Sequence, residues 1–187
     1  MIGVLALQGN FSSHIQILNK LGHDSKLVKC SKDLEGINGL IIPGGESTTI
    51  TKLIKRENKF IKSIESFSKK YPILGTCAGL ILMSKNSFDD KVLNFGIINI
   101  ESKRNAYGRQ VYSFDTDLNL DYNSENTSFI ASFIRAPKIS KVGKDVQVIC
   151  NHDGIPVAVK QGMHFATTFH PELQNETLIH QLCFGDG

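Results

Sequence analysis

Three short stretches set reactive side chains beside turn-forming residues. Gly75-Thr76-Cys77-Ala78-Gly79 places a thiol between two glycines. It separates an apolar run that reads as a strand from one that reads as a helix, the G-x-nucleophile-x-G pattern with cysteine in place of serine. A nucleophile on so tight a turn has a strained backbone, and its neighbours must lack side chains that would clash. The turn lifts the sulfur off the C-terminal edge of a sheet and sets Cys77 at a helix N-terminus, where partial positive charge favours the thiolate. The Ala78 N–H is then free to face an oxyanion. The same pentapeptide also suits a buried structural cysteine between two packing glycines.

A thiol nucleophile needs a base. Among six histidines, His170 in Phe169-His170-Pro171-Glu172 is the best placed. It follows an expected strand, Pro171 ends that strand, and Glu172 can orient the imidazole and stabilise its charged form. His164 is the alternative. Its even spacing from His170 puts both on one face of a strand, so the carboxylate partner and the strand-end position favour His170. His14, His23 and His180 fall in or beside expected helices and are expected at the surface; His152 falls in a hairpin turn. The third stretch, Leu40-Ile41-Ile42-Pro43-Gly44-Gly45-Glu46-Ser47-Thr48-Thr49, reads as strand, glycine turn and helix start. Backbone N–H groups there can receive an anion or a developing oxyanion. No lysine follows the glycines, as a phosphate loop would require. Ser47 and Thr48 are expected to cap the helix. Paired with Cys77, this turn offers the second donor of an oxyanion hole.

Those turns need a sheet to hold them. Residues 1–7 are an apolar run ending at Gln8-Gly9, and Phe11, Ile15, Leu18 and Leu21 then recur at helical spacing before Gly22. Strands are expected at 26–30, 40–42 and 72–74. Helices are expected at 46–57, across the segment carrying Phe60, Ile61, Ile64 and Phe67, and at 78–84. This alternation implies a parallel sheet covered on both faces. The second half reads as strands at 95–100, 110–114, 129–135, 146–150, 156–160 and 163–169, with Asp153-Gly154 as a hairpin turn and a closing helix over 172–184. The polar, Asn-rich segment 117–128 is expected to be a surface loop. No repeat or linker divides the chain. The expectation is a single three-layer α/β domain over residues 1–187, with a mostly parallel central sheet and an antiparallel extension.

Composition excludes several other classes. With 187 residues, 41% hydrophobic and 21% charged, the chain can bury about 70% of its unfolded surface and is too apolar to stay disordered. A net charge of +3 is too small to imply nucleic acid. The best membrane-span candidate, 71–84, is too short and holds two glycines. The start lacks a basic segment, so no secretory signal is expected. Four scattered cysteines without a CxxC pair suit neither a disulfide scaffold nor a zinc site, and point to a reducing, cytoplasmic compartment. Lys52, Lys55, Arg56, Lys59, Lys62, Lys69 and Lys70, against Glu57 and Glu65, make seven cations less two anions, a local +5. This reads as a solvated face, with docking of an acidic partner as the alternative.

In this order, the three reactive stretches resemble the class I glutamine amidotransferases, a family with a Cys-His-Glu triad on an α/β sheet. Further segments are similar to one branch, the glutaminase subunit of the two-subunit pyridoxal 5'-phosphate synthase. They are Val4-Leu5-Ala6-Leu7-Gln8-Gly9, Arg104-Asn105-Ala106-Tyr107-Gly108-Arg109-Gln110, Phe133-Ile134-Arg135-Ala136-Pro137 and Phe169-His170-Pro171-Glu172-Leu173. The resemblance runs from the first strand to the last helix. It implies that Cys77 attacks the side-chain amide of L-glutamine, that His170 shuttles the proton and that Glu172 holds His170. The Gly45 and Ala78 N–H groups would form the oxyanion hole, and Gly45, Glu46, Ser47, Arg104, Ile134 and Arg135 would hold the glutamine head group. Two arginines and a glutamate do match the α-carboxylate and α-ammonium in charge. The implied product, ammonia, passes to a synthase subunit of (β/α)8-barrel fold. No cofactor, metal, nucleic acid or membrane is implied. One departure is Asn10-Phe11-Ser12-Ser13 before His14, where the family usually carries charge. The alternatives are the glutaminase of another amidotransferase, a γ-glutamyl hydrolase, a non-enzymatic partner-binding subunit, and a stress-type cysteine hydrolase or chaperone.

Overall fold

Short apolar runs such as Ile2–Leu5 and Leu40–Ile42 are buried at every position, as strands covered on both faces must be. The computed structural model describes residues 1–104, 113–123 and 125–187. Its first half alternates β1 (Ile2–Leu5), α1 (Phe11–Lys20), β2 (Ser25–Val28), β3 (Leu40–Ile42), α2 (Ser47–Lys55), α3 (Asn58–Ser68), β4 (Ile73–Thr76) and α4 (Ala78–Met83). The second half is rich in strands: β5 (Ser84–Asn86), β6 (Ile98–Lys103), β7 (Ser113–Tyr122), β8 (Glu125–Ile134), β9 (Lys138–Val142), β10 (Gln147–His152), β11 (Ile155–Gln161) and β12 (His164–Thr167). A 3-10 turn at Pro171–Gln174 and α5 (Leu178–Phe184) follow.

Nine strands form the main sheet in the order β2-β1-β3-β4-β12-β11-β10-β7-β8. Pairing is parallel from β2 through β12 and antiparallel from β12 to the β8 edge. β5, β6 and β9 form a smaller sheet. Alternation along the strands divides the core in two. Leu5, Leu40, Ile42 and Ile73 pack with Ile50, Ile54, Phe60 and Ile64 of α2 and α3. Val4, Ile41, Leu74 and Phe165 pack on the opposite face with Leu18 of α1 and Ile179 and Cys183 of α5. The lysines of the basic segment are exposed, as a solvated face requires.

The segment 117–128, expected to be a loop, is instead most of the β7–β8 hairpin, paired in register from Ser113↔Ile134 to Tyr122↔Glu125. Leu118 and Leu120 point inward and are buried, while Asp117, Asn119 and Asp121, which alternate with them, face solvent. Asn and Asp are poor strand formers; here they occupy only the wet face. The expected helix over 172–184 is broken at Asn175, which sits in the left-handed region at φ 59°. β5 and β9 were not expected at all. The expected 110–114 strand lies outside the described residues up to 112, and β7 starts at Ser113. The Asp153-Gly154 hairpin turn is present, with positive φ at both residues, as a type I′ turn requires.

Candidate active site

β4 and β12 are hydrogen-bonded parallel neighbours, in register from Phe165↔Leu74 to Thr167↔Thr76. The Cys77 N–H continues the ladder to the Thr167 carbonyl at 2.8 Å. The chain then turns abruptly. Cys77 has φ 50° and ψ −102°, a conformation that costs a non-glycine residue about 1–3 kcal/mol and that is held by the ladder on one side and α4 on the other. A Cβ added at Gly79 would meet the Ile42 carbonyl oxygen at 1.9 Å, so α4 can start this close to β3 only with glycine there. The expected strand, elbow and helix are all present.

His170 lies just past β12 and Cys77 just past β4, so one ladder sets the two side by side. The His170 backbone N–H donates to the Ser132 carbonyl at 2.8 Å, which ties His170 to β8. Its Nδ1 meets Glu172 Oε1 at 2.7 Å, with Glu172 held in the 3-10 turn that Pro171 opens. That leaves Nε2 for Cys77. Burial pulls the His170 pKa down, but hydrogen bonds to Cys77 and Glu172 outweigh it and push it up to about 10. The arrangement favours an imidazolium at His170. Burial raises Glu172, and the imidazoles of His14 and His170 hold it below its usual value. The alternative base, His164, begins β12 at the far end of the ladder. There it accepts a hydrogen bond from the Ile73 N–H at 3.2 Å.

The glycine turn after β3 comes to the same edge. Gly44 N–H donates to Thr76 Oγ1 at 3.1 Å, and Glu46 N–H donates to Gln8 Oε1 at 2.6 Å. Gly44 lies so near the imidazole that a Cβ there would be 2.2 Å from His170 Cε1. The cap of α2 differs from expectation. Glu46, and neither Ser47 nor Thr48, is the N-cap, accepting from the backbone N–H groups of Thr48 and Thr49 at 3.3 and 2.7 Å. Burial raises its pKa, but the hydroxyls and amides of Thr48 and Thr49 bring it down to about 2. A carboxylate reaching both amides of the first turn satisfies two donors at the positive end of the helix.

Arg104 bridges two carboxylates, Glu46 Oε1 at 3.0 Å and Asp89 Oδ2 at 2.7 Å. The rest of the Asn105-Ala106-Tyr107-Gly108-Arg109-Gln110 segment lies outside the described residues. Arg135 takes φ 42° beside Ile134, whose carbonyl oxygen is 3.9 Å from Cys77 Sγ. Cys77, Ala78, His170, Gly45, Glu46, Ser47, Arg104, Ile134 and Arg135 all line one cavity of about 350 Å³, together with Gln8 and Leu173. Glu172 is buried behind His170. Among the described residues, no group of acidic, histidine or cysteine side chains is arranged to hold a metal ion. No described helix is long and apolar enough to cross a membrane.

Two histidines expected at the surface are completely buried, His14 and His180. His23 is half-buried, with Nε2 2.9 Å from the Gly185 carbonyl oxygen. His14 Nδ1 lies 2.8 Å from His180 Nε2, and His14 Nε2 lies 3.3 Å from Thr76 Oγ1 and 3.5 Å from Glu172 Oε2. Position 14 falls three residues after Phe11 and four before Leu18, on the apolar stripe of α1. That spacing is the signal that would have placed it inside.

Known proteins share this arrangement of chain. The SNO glutamine amidotransferase family model matches residues 4–184. Pyridoxal 5'-phosphate synthase subunit PdxT of Oenococcus oeni is 46% identical over 180 residues, 96% of this chain and 93% of that protein. The protein of the same name from Thermotoga neapolitana is 41% identical, covering 96% and 95%. A crystal structure of a glutamine amidotransferase superposes with a TM-score of 0.89 at 38% identity, covering 96% of this chain and 95% of that one. The Thermotoga maritima PurLQS structure shares the fold at a TM-score of 0.72 and 17% identity, with 97% and 95% covered. With the family's pattern running from β1 into α5 and near-complete coverage in both directions, this chain belongs to the SNO glutamine amidotransferase family.

Proposed function

We propose that residues 1–187 act as one glutaminase domain that hydrolyses L-glutamine to L-glutamate and ammonia, with Cys77, His170 and Glu172 as the triad. The Cys77 thiolate attacks the side-chain amide carbon, and the charge on the carbonyl oxygen is met by the Ala78 and Gly45 N–H groups. His170 gives its proton to the departing nitrogen, ammonia leaves, and a thioester remains. His170 then takes a proton from water, hydroxide adds to the thioester carbon, and the thiolate leaves as glutamate is released. Glu172 keeps the imidazole oriented and stabilises its charged form throughout. Glu46, Ser47, Arg104, Ile134 and Arg135 hold the amino-acid head group. A cavity of about 350 Å³ falls in the range of small-molecule sites, about 300–1,000 Å³.

The observation that carries this reading is the 2.7 Å His170–Glu172 contact beside a strained Cys77 on the adjacent strand end. The names of the relatives, subunits of pyridoxal 5'-phosphate synthase, support a further step: ammonia is handed to a second subunit that makes pyridoxal 5'-phosphate. The sequence resemblance implies that this subunit is a (β/α)8 barrel and that the compartment is the cytoplasm. Rotation of the Gly44–Gly45 peptide on docking can bring the Gly45 N–H to the oxyanion, while the preceding peptide stays anchored by the Gly44 N–H on Thr76. One donor is worth roughly 10²–10³ in rate. Ammonia release from glutamine, measured with and without that synthase subunit, tests both parts. The expected result is activity that requires Cys77 and rises mainly in kcat with the partner. Ammonia release unaffected by Cys77→Ala overturns the glutaminase reading, and equal saturating rates with and without the partner overturn the activation.

A further inference from the structure

His14 sits where the two halves of the site meet, yet it touches neither the cavity nor the reacting atoms. On one side, its Nε2 faces Glu172 Oε2 at 3.5 Å and Thr76 Oγ1 at 3.3 Å. Thr76 Oγ1 in turn accepts the Gly44 N–H of the oxyanion turn. On the other side, its Nδ1 meets His180 Nε2 at 2.8 Å. All four side chains are buried. Glu172 Oε2 is buried without a hydrogen-bond partner among the described residues, and the His14 ring faces it at 3.5 Å.

The direction of the donors follows from elementary chemistry. An ionised carboxylate only accepts, and a neutral imidazole carries one N–H. If His14 Nδ1 donated to His180, its bare Nε2 would turn a lone pair on Glu172. His180 Nδ1 would then carry a proton with nothing to receive it, since that atom is buried and without a partner among the described residues. Orphaned buried N–H groups are rare, and bare acceptors are less so. The opposite direction removes both conflicts. His180 Nε2–H donates to His14 Nδ1, and His14 Nε2–H is directed at Glu172 Oε2 and Thr76 Oγ1.

From this geometry we infer that His14, fixed as the neutral Nε2–H tautomer by His180, is a positioning residue that locks Glu172 behind His170 and Thr76 beneath the oxyanion turn. Its neutrality matters because a second imidazolium would share the Glu172 charge that supports His170. Burial lowers the His14 pKa, Glu172 raises it and His170 lowers it; His180 is likewise lowered, by burial and by His14. The titratable groups that face His14 are Glu172, His170 and, from α5, His180. β1 and β4 carry no titratable side chain, and Lys26 of β2 reaches the Glu35 carbonyl instead.

The inference rests on the proposed triad, and the test separates the two. Nitrogen-15 spectra of the imidazoles in the full chain, from pH ~6 to ~8 where histidines titrate, should show His14 protonated at Nε2 and bare at Nδ1. An Nδ1–H tautomer or an imidazolium in that range overturns the inference without touching the triad. Alkylation of Cys77 by iodoacetamide, followed by mass spectrometry across pH, gives a second readout. His14→Gln keeps a donor at the Nε2 position, whereas His14→Asn keeps only the side facing His180. The Asn variant should alkylate about tenfold more slowly near neutral pH, the equivalent of one pKa unit, and the Gln variant within about twofold of wild type. Equal behaviour of the two variants refutes the positioning role. A Cys77 profile unchanged by His170→Asn refutes the triad, and the inference with it.

Discussion

Replacing Gly44 by alanine separates the geometry of the base from its chemistry. Gly44 does not occupy the left-handed region, so alanine meets no backbone penalty there. Its methyl would instead lie 2.2 Å from His170 Cε1, with Nδ1 and Nε2 at 3.0 and 3.1 Å. Ordinary contact starts near 3.4 Å, so the ring must recede from 2.2 to 3.4 Å, about 1.2 Å, and a misplacement of that size costs about 10²-fold in rate. The ring has little freedom to give, because Glu172 holds Nδ1 at 2.7 Å and the His170 backbone is tied to Ser132. The expected outcome for Gly44→Ala is a fall in kcat for glutamine hydrolysis of about two orders of magnitude, with the thermal midpoint close to wild type. Ammonia release under saturating glutamine, alongside thermal unfolding, measures both. A folded Gly44→Ala variant that retains kcat within about twofold refutes the claim that this approach positions the base.

Thiol reactivity should discriminate among the four cysteines. Burial pushes the Cys150 thiol up to about 12 and raises Cys183 well above its ordinary value, so a glutamine-like alkylating reagent at neutral pH should modify Cys77 and spare both; equal labelling, read by mass spectrometry, contradicts this. His170→Asn should abolish turnover, whereas Glu172→Ala, which removes an orienting group, should be milder; an equal loss in two folded variants refutes that ranking. Glu46→Gln should destabilise the fold by about 1 kcal/mol at neutral pH through loss of a helix cap. Because the folded pKa of Glu46 is depressed from 4.5 to about 2, its contribution is present above 4.5 and lost as pH falls through about 2. Urea titrations of both proteins should therefore converge in acid, and a gap that persists at low pH counts against the carboxylate as the source.

The grouping of Cys77 with His170 and Glu172 was more legible than the scaffold around it. Cys77 and His170-Pro171-Glu172 announce themselves because a strained turn and a strand-ending proline are local events, written in adjacent residues. The roles of Glu46 and Arg104 are not local. Whether a glutamate faces a ligand or caps its own helix depends on which way the turn delivers the carboxylate, and here it meets Thr48, Thr49 and Arg104. The first half of the β7–β8 hairpin was hidden by composition, since its wet face is built from Asp and Asn and its buried apolar face shows only at Leu118 and Leu120, whereas the apolar end of β8 was expected as a strand. Histidine was misread at positions 14 and 180 because a side chain with a polar rim suits either surface or core, and only the i, i+3, i+4 stripe distinguishes them.

β12 joins the parallel half of the sheet to the antiparallel half, and it is the last strand in the chain. The proposed nucleophile and its base are thus separated by roughly 90 residues, a contact of high sequence separation of the kind that slows folding. The cysteine elbow is built by β1 through β4, but His170 is beside it only when β12 is paired with β4. Catalytic competence then reports on completion of the whole sheet. A nascent, truncated or partly unravelled chain would hold a dormant thiol and leave the cell's glutamine untouched.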